Sequence, residues 1–112
     1  MNRKIIFFSI LLLAGLTFAF VNRGDKTKRR AILSEDAPKP IGPYSQAILT
    51  GNNLYVAGQV GLDPKTGKLD STGIEGETRQ ALKNIYSILL AADMNMTHIV
   101  KTTVYLKSIK DF

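Results

Sequence analysis

Thr50-Gly51-Asn52-Asn53 lies between two β-prone runs, 45–49 and 54–60, and narrows the available folds more than any other stretch of the chain. Gly and Asn readily enter the left-handed backbone region that tight turns demand, so these four residues predict the turn of an antiparallel hairpin. Just upstream, Gly42 and Pro43 set a bend and deliver Tyr44 at the head of the first arm. A side chain there is aimed rather than buried by default. In the second arm Gly58 and Gly61 weaken a plain strand. They predict a bulge or a close approach by a ligand or another backbone, the simpler alternative being a hairpin with a strained edge.

Downstream, Asp63-Pro64-Lys65-Thr66-Gly67 is a turn with a mechanism. Pro64 presets φ, Asp63 can accept from the amides that follow, and Gly67 tolerates a left-handed exit. Lys65 and Lys68 read as solvated loop residues. Thr72 and Glu75 have capping-box spacing, which predicts a helix start. From there Ile74, Thr78, Ala81, Leu82, Ile85, Ile88, Leu89 and Ala92 recur at three and four residues, the stripe of a core-facing helix of about five turns. Arg79 falls on its outer side. Residues 93–97 close the helix, and 98–107 then alternate, with Val100, Thr102, Val104 and Leu106 on one side. That pattern predicts a strand whose apolar face packs on the helix, with Lys101 and Tyr105 on the other face.

The chain has 112 residues, 45% of them hydrophobic, and a net charge of +6. One domain fits that length. Residues 1–30 hold seven basic side chains against one acid, whereas residues 31–112 hold eight of each. The basic excess therefore belongs to the leader, and the remainder has no electrostatic footprint for nucleic acid. There is no cysteine and a single histidine, His98. A disulfide framework, a thiolate nucleophile and the usual zinc sites are thereby excluded, so no metal site is expected.

Residues 5–21 are apolar except for Ser9, Gly15 and Thr17, and Arg3 and Lys4 precede them. As a helix they would span roughly 25 Å, somewhat less than the ~30 Å hydrocarbon layer. Two readings follow for residues 1–22: a signal peptide cleaved near Thr17-Phe18-Ala19, or an uncleaved N-terminal membrane anchor. The cluster Lys26, Lys28, Arg29 and Arg30 leaves basic residues on both flanks, so orientation is not fixed by charge. Both readings predict an exported, periplasmic or secreted, or membrane-anchored protein. Residues 23–36 read as a basic, polar linker and 37–112 as the domain.

Several ordered blocks of that domain resemble the RidA family, also called YjgF. They are Gly42-Pro43-Tyr44-Ser45-Gln46-Ala47, Ala57-Gly58-Gln59, the Asp63–Gly67 turn, Thr78-Arg79-Gln80 with Ala81-Leu82-Lys83-Asn84, and Val100-Lys101-Thr102-Thr103-Val104-Tyr105-Leu106. Any one block is a weak signal; their order and spacing together are specific. Two positions depart from the pattern: Ala57 stands where serine is frequent, and Val60-Gly61 where Ile-Pro is common.

The resemblance implies an α+β, chorismate-mutase-like fold. Here it would be incomplete, with a hairpin, one long helix and one further strand, and without the second helix and last strands. It implies a homotrimer with clefts between subunits. The implied activity is hydrolysis of 2-enamino and 2-imino acids, such as 2-iminobutanoate and 2-iminopropanoate, to 2-keto acids and ammonia, with no cofactor. By the same resemblance Tyr44 is the cleft tyrosine, assigned a catalytic role, and Gly58 and Gln59 are the segment that meets substrate. The family's carboxylate-binding arginine and its glutamate have no counterpart up to Phe112. The alternative reading is therefore a non-catalytic module, or a truncated relic, that binds a small ligand or a protein. The family's other labels, endoribonuclease and translation inhibitor, fit the balanced charge of residues 31–112 less well.

Overall fold

The computed structural model describes residues 28–112, and within them the predicted hairpin forms. Strand β2, Ala47–Thr50, and strand β3, Asn53–Val56, pair antiparallel with Thr50 opposite Asn53. Gly51 takes the left-handed turn conformation at φ 57°, which glycine enters without Cβ strain. The second arm is shorter than its sequence suggests, because ladder pairing stops at Val56 and residues 57–60 leave the sheet.

A third strand, β1 (Arg29–Ile32), runs antiparallel to β2, giving the order β1-β2-β3. These residues fall in the span 23–36 that reads as linker, and the correction has a physical cause. Ile32 lies opposite Ala47, and both are buried in the core with Ala37, Ile88 and Ala92. One apolar side chain in a polar run is a weak local signal, but the edge of β2 supplies the partner that makes it a strand.

Helix α1 spans Ile74–Leu90 and covers one face of the sheet. Ile88 and Ala92 meet Ile32 and Ala47, while Leu49, Leu54, Val56 and Met94 pack around them. The cross-strand rows explain this. Ile32, Ala47 and Val56 share one face, and Ala31, Ile48 and Tyr55 share the other, as the two-residue period requires. The predicted stripe is buried only in its second half: Ile74 and Leu82 are 42% and 47% exposed, whereas Ile88 is fully buried.

The expected capping box is not made. Gly73, at φ 86°, occupies the N-cap position without a side-chain cap. Thr72 instead donates its amide, at 2.8 Å, and its hydroxyl to Asp70 Oδ1. Those bonds lower the Asp70 carboxyl pKa, the hydroxyl bond contributing most. At the other end Asp93 adopts φ 58° and the Met94 amide donates to Leu89 O at 2.9 Å. This is a Schellman-type closure built on aspartate rather than glycine.

The strand expected at 98–107 is also corrected. Met96–His98 forms a 3-10 turn, and residues 99–107 have no ladder partner among the described residues. Val100, Val104 and Tyr105 are 99%, 67% and 92% exposed, so the alternating pattern does not place an apolar face on α1. Alternation selects which side chains would share a face, but a strand exists only where a neighbour accepts its hydrogen bonds. His98 lies in the turn, where its Nδ1 accepts from the Asn95 amide at 3.0 Å. No helix among the described residues is long and apolar enough to cross a membrane. The signal or anchor reading of 5–21 lies outside the described residues.

Candidate active site at the open end of the hairpin

The Gly51-Asn52 turn closes one end of the hairpin, and the candidate residues lie at the other. Pairing extends one step beyond the strands, because the Ala57 amide donates to Gln46 O at 2.9 Å. The ladder ends there, and Tyr44 and Gln59 lie two residues farther along their respective arms, outside the paired strands. Tyr44 on one arm and Gly58-Gln59 on the other therefore leave the sheet at the same end of the hairpin.

Tyr44 is aimed by a three-residue turn in which its amide donates to Gly42 O at 2.8 Å. Its ring lies near Gly42, where an added Cβ would be 3.7 Å from Cδ1. The side chain is 52% exposed, consistent with a ring held at a surface rather than in a core. Gly58 is exposed, and a Cβ built on it meets nothing within 4 Å. Gln59 Nε2 donates to Ala57 O at 3.2 Å. No other part of the described chain covers the Gly58 backbone at that point, which leaves it open to an outside group.

The two glycines that look alike in sequence therefore differ. Gly61 is buried, and a Cβ there would stand 2.5 Å from Glu77 Cα and 2.8 Å from Glu77 O. Its close approach is to α1. Gly58 has no such constraint.

Two buried carboxamides fasten the loops on either side. Gln46 is 1% exposed. Its Oε1 accepts from the Ser34 amide at 2.6 Å, and its Nε2 donates to Ser34 O, Ala37 O and Pro38 O at 3.0, 3.2 and 2.9 Å. These bonds tie residues 34–38 to the start of β2, two residues from Tyr44. Asn84, fully buried on α1, donates to Val60 O at 3.1 Å and Leu62 O at 2.9 Å. The loop beyond is self-contained: Asp63 Oδ1 accepts from the Lys65 and Thr66 amides at 2.8 and 2.9 Å. Amide donation, from Thr66 first and then Lys65, holds the Asp63 carboxyl below its ordinary range, the expected effect of donors that favour the ionised form. Lys65, Lys68, Arg79 and Lys101 are exposed. Among the described residues no group of three His, Cys, Asp or Glu side chains could hold a metal ion.

The family described as endoribonuclease L-PSP matches residues 34–112. The chain belongs to the RidA (YjgF, L-PSP) family. The human 2-iminobutanoate/2-iminopropanoate deaminase is 51% identical over 84 residues, covering 75% of this chain and 61% of that protein. A RutC family protein of Pyrococcus horikoshii is 52% identical, with 75% and 67% covered. The crystal structure of the Escherichia coli YjgF gene product superposes with a TM-score of 0.70 at 39% identity, covering 73% of this chain and 64% of that one. This RidA-family chain thus spans about two thirds or less of the length of these relatives, and its three-stranded sheet and helix α1 form part of the RidA-like α+β fold.

Gln46 and Asn84 are the residues that sequence reasoning did not single out. Asn84 did leave a trace. It falls three residues after Ala81 and four before Ile88, on the apolar stripe, and a polar residue at such a position must satisfy its amide internally. Gln46 left none, since the carbonyls it binds come from residues 34–38, which carry no regular pattern.

Proposed function

We propose that this RidA-family protein hydrolyses 2-imino acids, in equilibrium with their 2-enamino forms, to 2-keto acids and ammonia. Tyr44, Gly58 and Gln59 form one wall of its substrate site. In the reaction water adds its oxygen to the imine carbon and a proton to the nitrogen, and the resulting carbinolamine expels ammonia as the carbonyl forms. The chemistry asks for a positioned polar group beside an imine and for exposed backbone that the substrate can approach. The observation that supports the reading is that the Tyr44 phenol is half-exposed and that Gly58, past the same end of the hairpin, has open space where a Cβ would stand. The name of the human relative, at 51% identity, supports the substrate class.

The test is ketoacid release from freshly generated 2-iminobutanoate, with the spontaneous rate subtracted. Tyr44→Phe is expected to lower kcat/KM about tenfold, the equivalent of one hydrogen bond of ~1.4 kcal/mol to the reacting group. An unchanged rate removes Tyr44 from the mechanism. No hydrolysis above background by the unaltered chain refutes the deaminase reading, and saturable binding of 2-ketobutanoate in that case would point to a non-catalytic ligand-binding module.

The proposal includes a homotrimer in which the sheet face carrying Ala31, Ile48 and Tyr55 is covered by neighbouring subunits. Among the described residues no helix lies on that face, and Tyr55 is 64% exposed. A monomer in sedimentation equilibrium at micromolar concentration would exclude this assembly. It also includes export or membrane anchoring through residues 5–21, from their apolar run and basic start; recovery of the intact chain in the soluble cytoplasmic fraction would exclude that.

A further inference from the structure

Asn84 is costly where it sits. A carboxamide buried in the middle of an amphipathic helix loses its water, and an apolar residue of similar size would fill the same space. What the amide does instead is specific. Both of its donors go to carbonyls flanking a single residue, Val60 O at 3.1 Å and Leu62 O at 2.9 Å, and its oxygen is held by Gln80 Nε2 at 2.9 Å. The residue between those carbonyls is Gly61, whose missing side chain lets the segment lie against the backbone of Glu77.

Consider the segment from its other end. Its last ladder bond is Ala57 to Gln46, and among the described residues the Gln59 side chain is anchored only to Ala57 O, within the segment itself. Gly58 and Gln59 are therefore strung between two fastened points, Ala57 on the sheet and Val60 on the helix. With no strand pairing of their own, the direction in which their amides face depends on where those two points are held.

We propose that Asn84 is a positioning residue for the candidate site. By clamping the backbone on both sides of Gly61 it sets the orientation of the Gly58-Gln59 amides toward the ligand. The placement stands on the hydrogen bonds alone; the identity of the ligand rests on the deaminase reading. It follows that a core lesion of equal severity elsewhere on α1 would weaken the fold without turning these amides.

The experiment uses the full chain labelled with ¹⁵N and compares Asn84→Ser, which cannot span both carbonyls, with Ile88→Val, one turn along the same buried face. Temperatures are chosen so that both variants are equally far below their melting points. Asn84→Ser is expected to shift the Gly58 and Gln59 amide resonances and to add exchange broadening there, and to lower kcat/KM for 2-iminobutanoate about tenfold, mostly through KM. Ile88→Val is expected to leave those two resonances and KM in place. If Asn84→Ser does not fold, Gln80→Ala, which releases only the Asn84 oxygen, is expected to move the same two resonances by a smaller amount. Unmoved resonances in the folded variant overturn the proposal. Equal movement in Ile88→Val overturns it too, because Asn84 would then be one core residue among several. Should the unaltered chain show no hydrolysis, the deaminase reading falls, while the resonances still decide the role of Asn84.

Discussion

Gln46→Met is expected to destabilise the protein by about 3 kcal/mol, the expected scale for stranding several buried polar groups when each costs roughly 1–3 kcal/mol. Methionine matches glutamine in length and shape but offers no donor to the carbonyls of Ser34, Ala37 and Pro38 and no acceptor to the Ser34 amide. In a domain of this size each kcal/mol lowers Tm by roughly 4–8 °C. The melting temperature should therefore fall by well over ~10 °C. Hydrogen exchange gives the sharper signature, because protection of the Ser34 amide should be lost before that of the β2–β3 ladder. Gln46→Glu separates charge from shape: it keeps the acceptor but sets a carboxylate against three carbonyls, and should be no more stable than the methionine variant. A loss below about 0.5 kcal/mol, the level of an ordinary surface change, would mean that water replaces the amide and that Gln46 does not hold the 34–38 loop.

The second large effect separates two glycines three residues apart. In Gly61→Ala the new methyl carbon would stand 2.5 Å from Glu77 Cα and 2.8 Å from its carbonyl oxygen. Both are backbone atoms of a helix that cannot turn aside as a flexible side chain could. We expect a loss of about 3 kcal/mol, the upper part of the usual range for overpacking. Gly58→Ala meets nothing within 4 Å and should change stability by no more than about 0.5 kcal/mol in either direction. In the assay the order reverses in meaning. Gly58→Ala should lower kcat/KM for 2-iminobutanoate in a fully folded protein, because the added methyl stands on the uncovered backbone. Parallel thermal melts and ketoacid assays test both claims. Equal stability losses at the two positions would refute the assignment of Gly61 to helix packing and Gly58 to the site.

Much of this fold is written in short stretches. The hairpin turn follows from Gly51, whose left-handed conformation is open to glycine wherever it stands. The helix over Ile74–Leu90 follows from a periodicity carried by its own residues. Of the candidate site, the bend at Gly42-Pro43 was legible in the same way, and it leaves Tyr44 exposed at the head of the first arm. What was misread depended on partners. The run over residues 99–107 alternates as a strand does, yet it finds no ladder among the described residues, and no arrangement of its own side chains could supply one. Thr72 has the spacing of a capping residue, but Asp70 lies closer in the folded loop and takes its hydroxyl.

The amino-acid order alone determined where the backbone could reverse, which face of the helix was apolar, and which ordered motifs mark the family, because each of these is settled within a few residues. Tertiary structure decided the rest. It made a strand of Arg29–Ile32 by offering the edge of β2. It divided Gly58 from Gly61 by bringing a helix against one and not the other. It buried Gln46 and Asn84 beside backbone groups eight to twenty-four residues away. The physical reason is common to all three: a hydrogen-bond partner or a steric neighbour distant along the chain leaves no mark on local propensity, and its effect exists only once the chain has closed on itself.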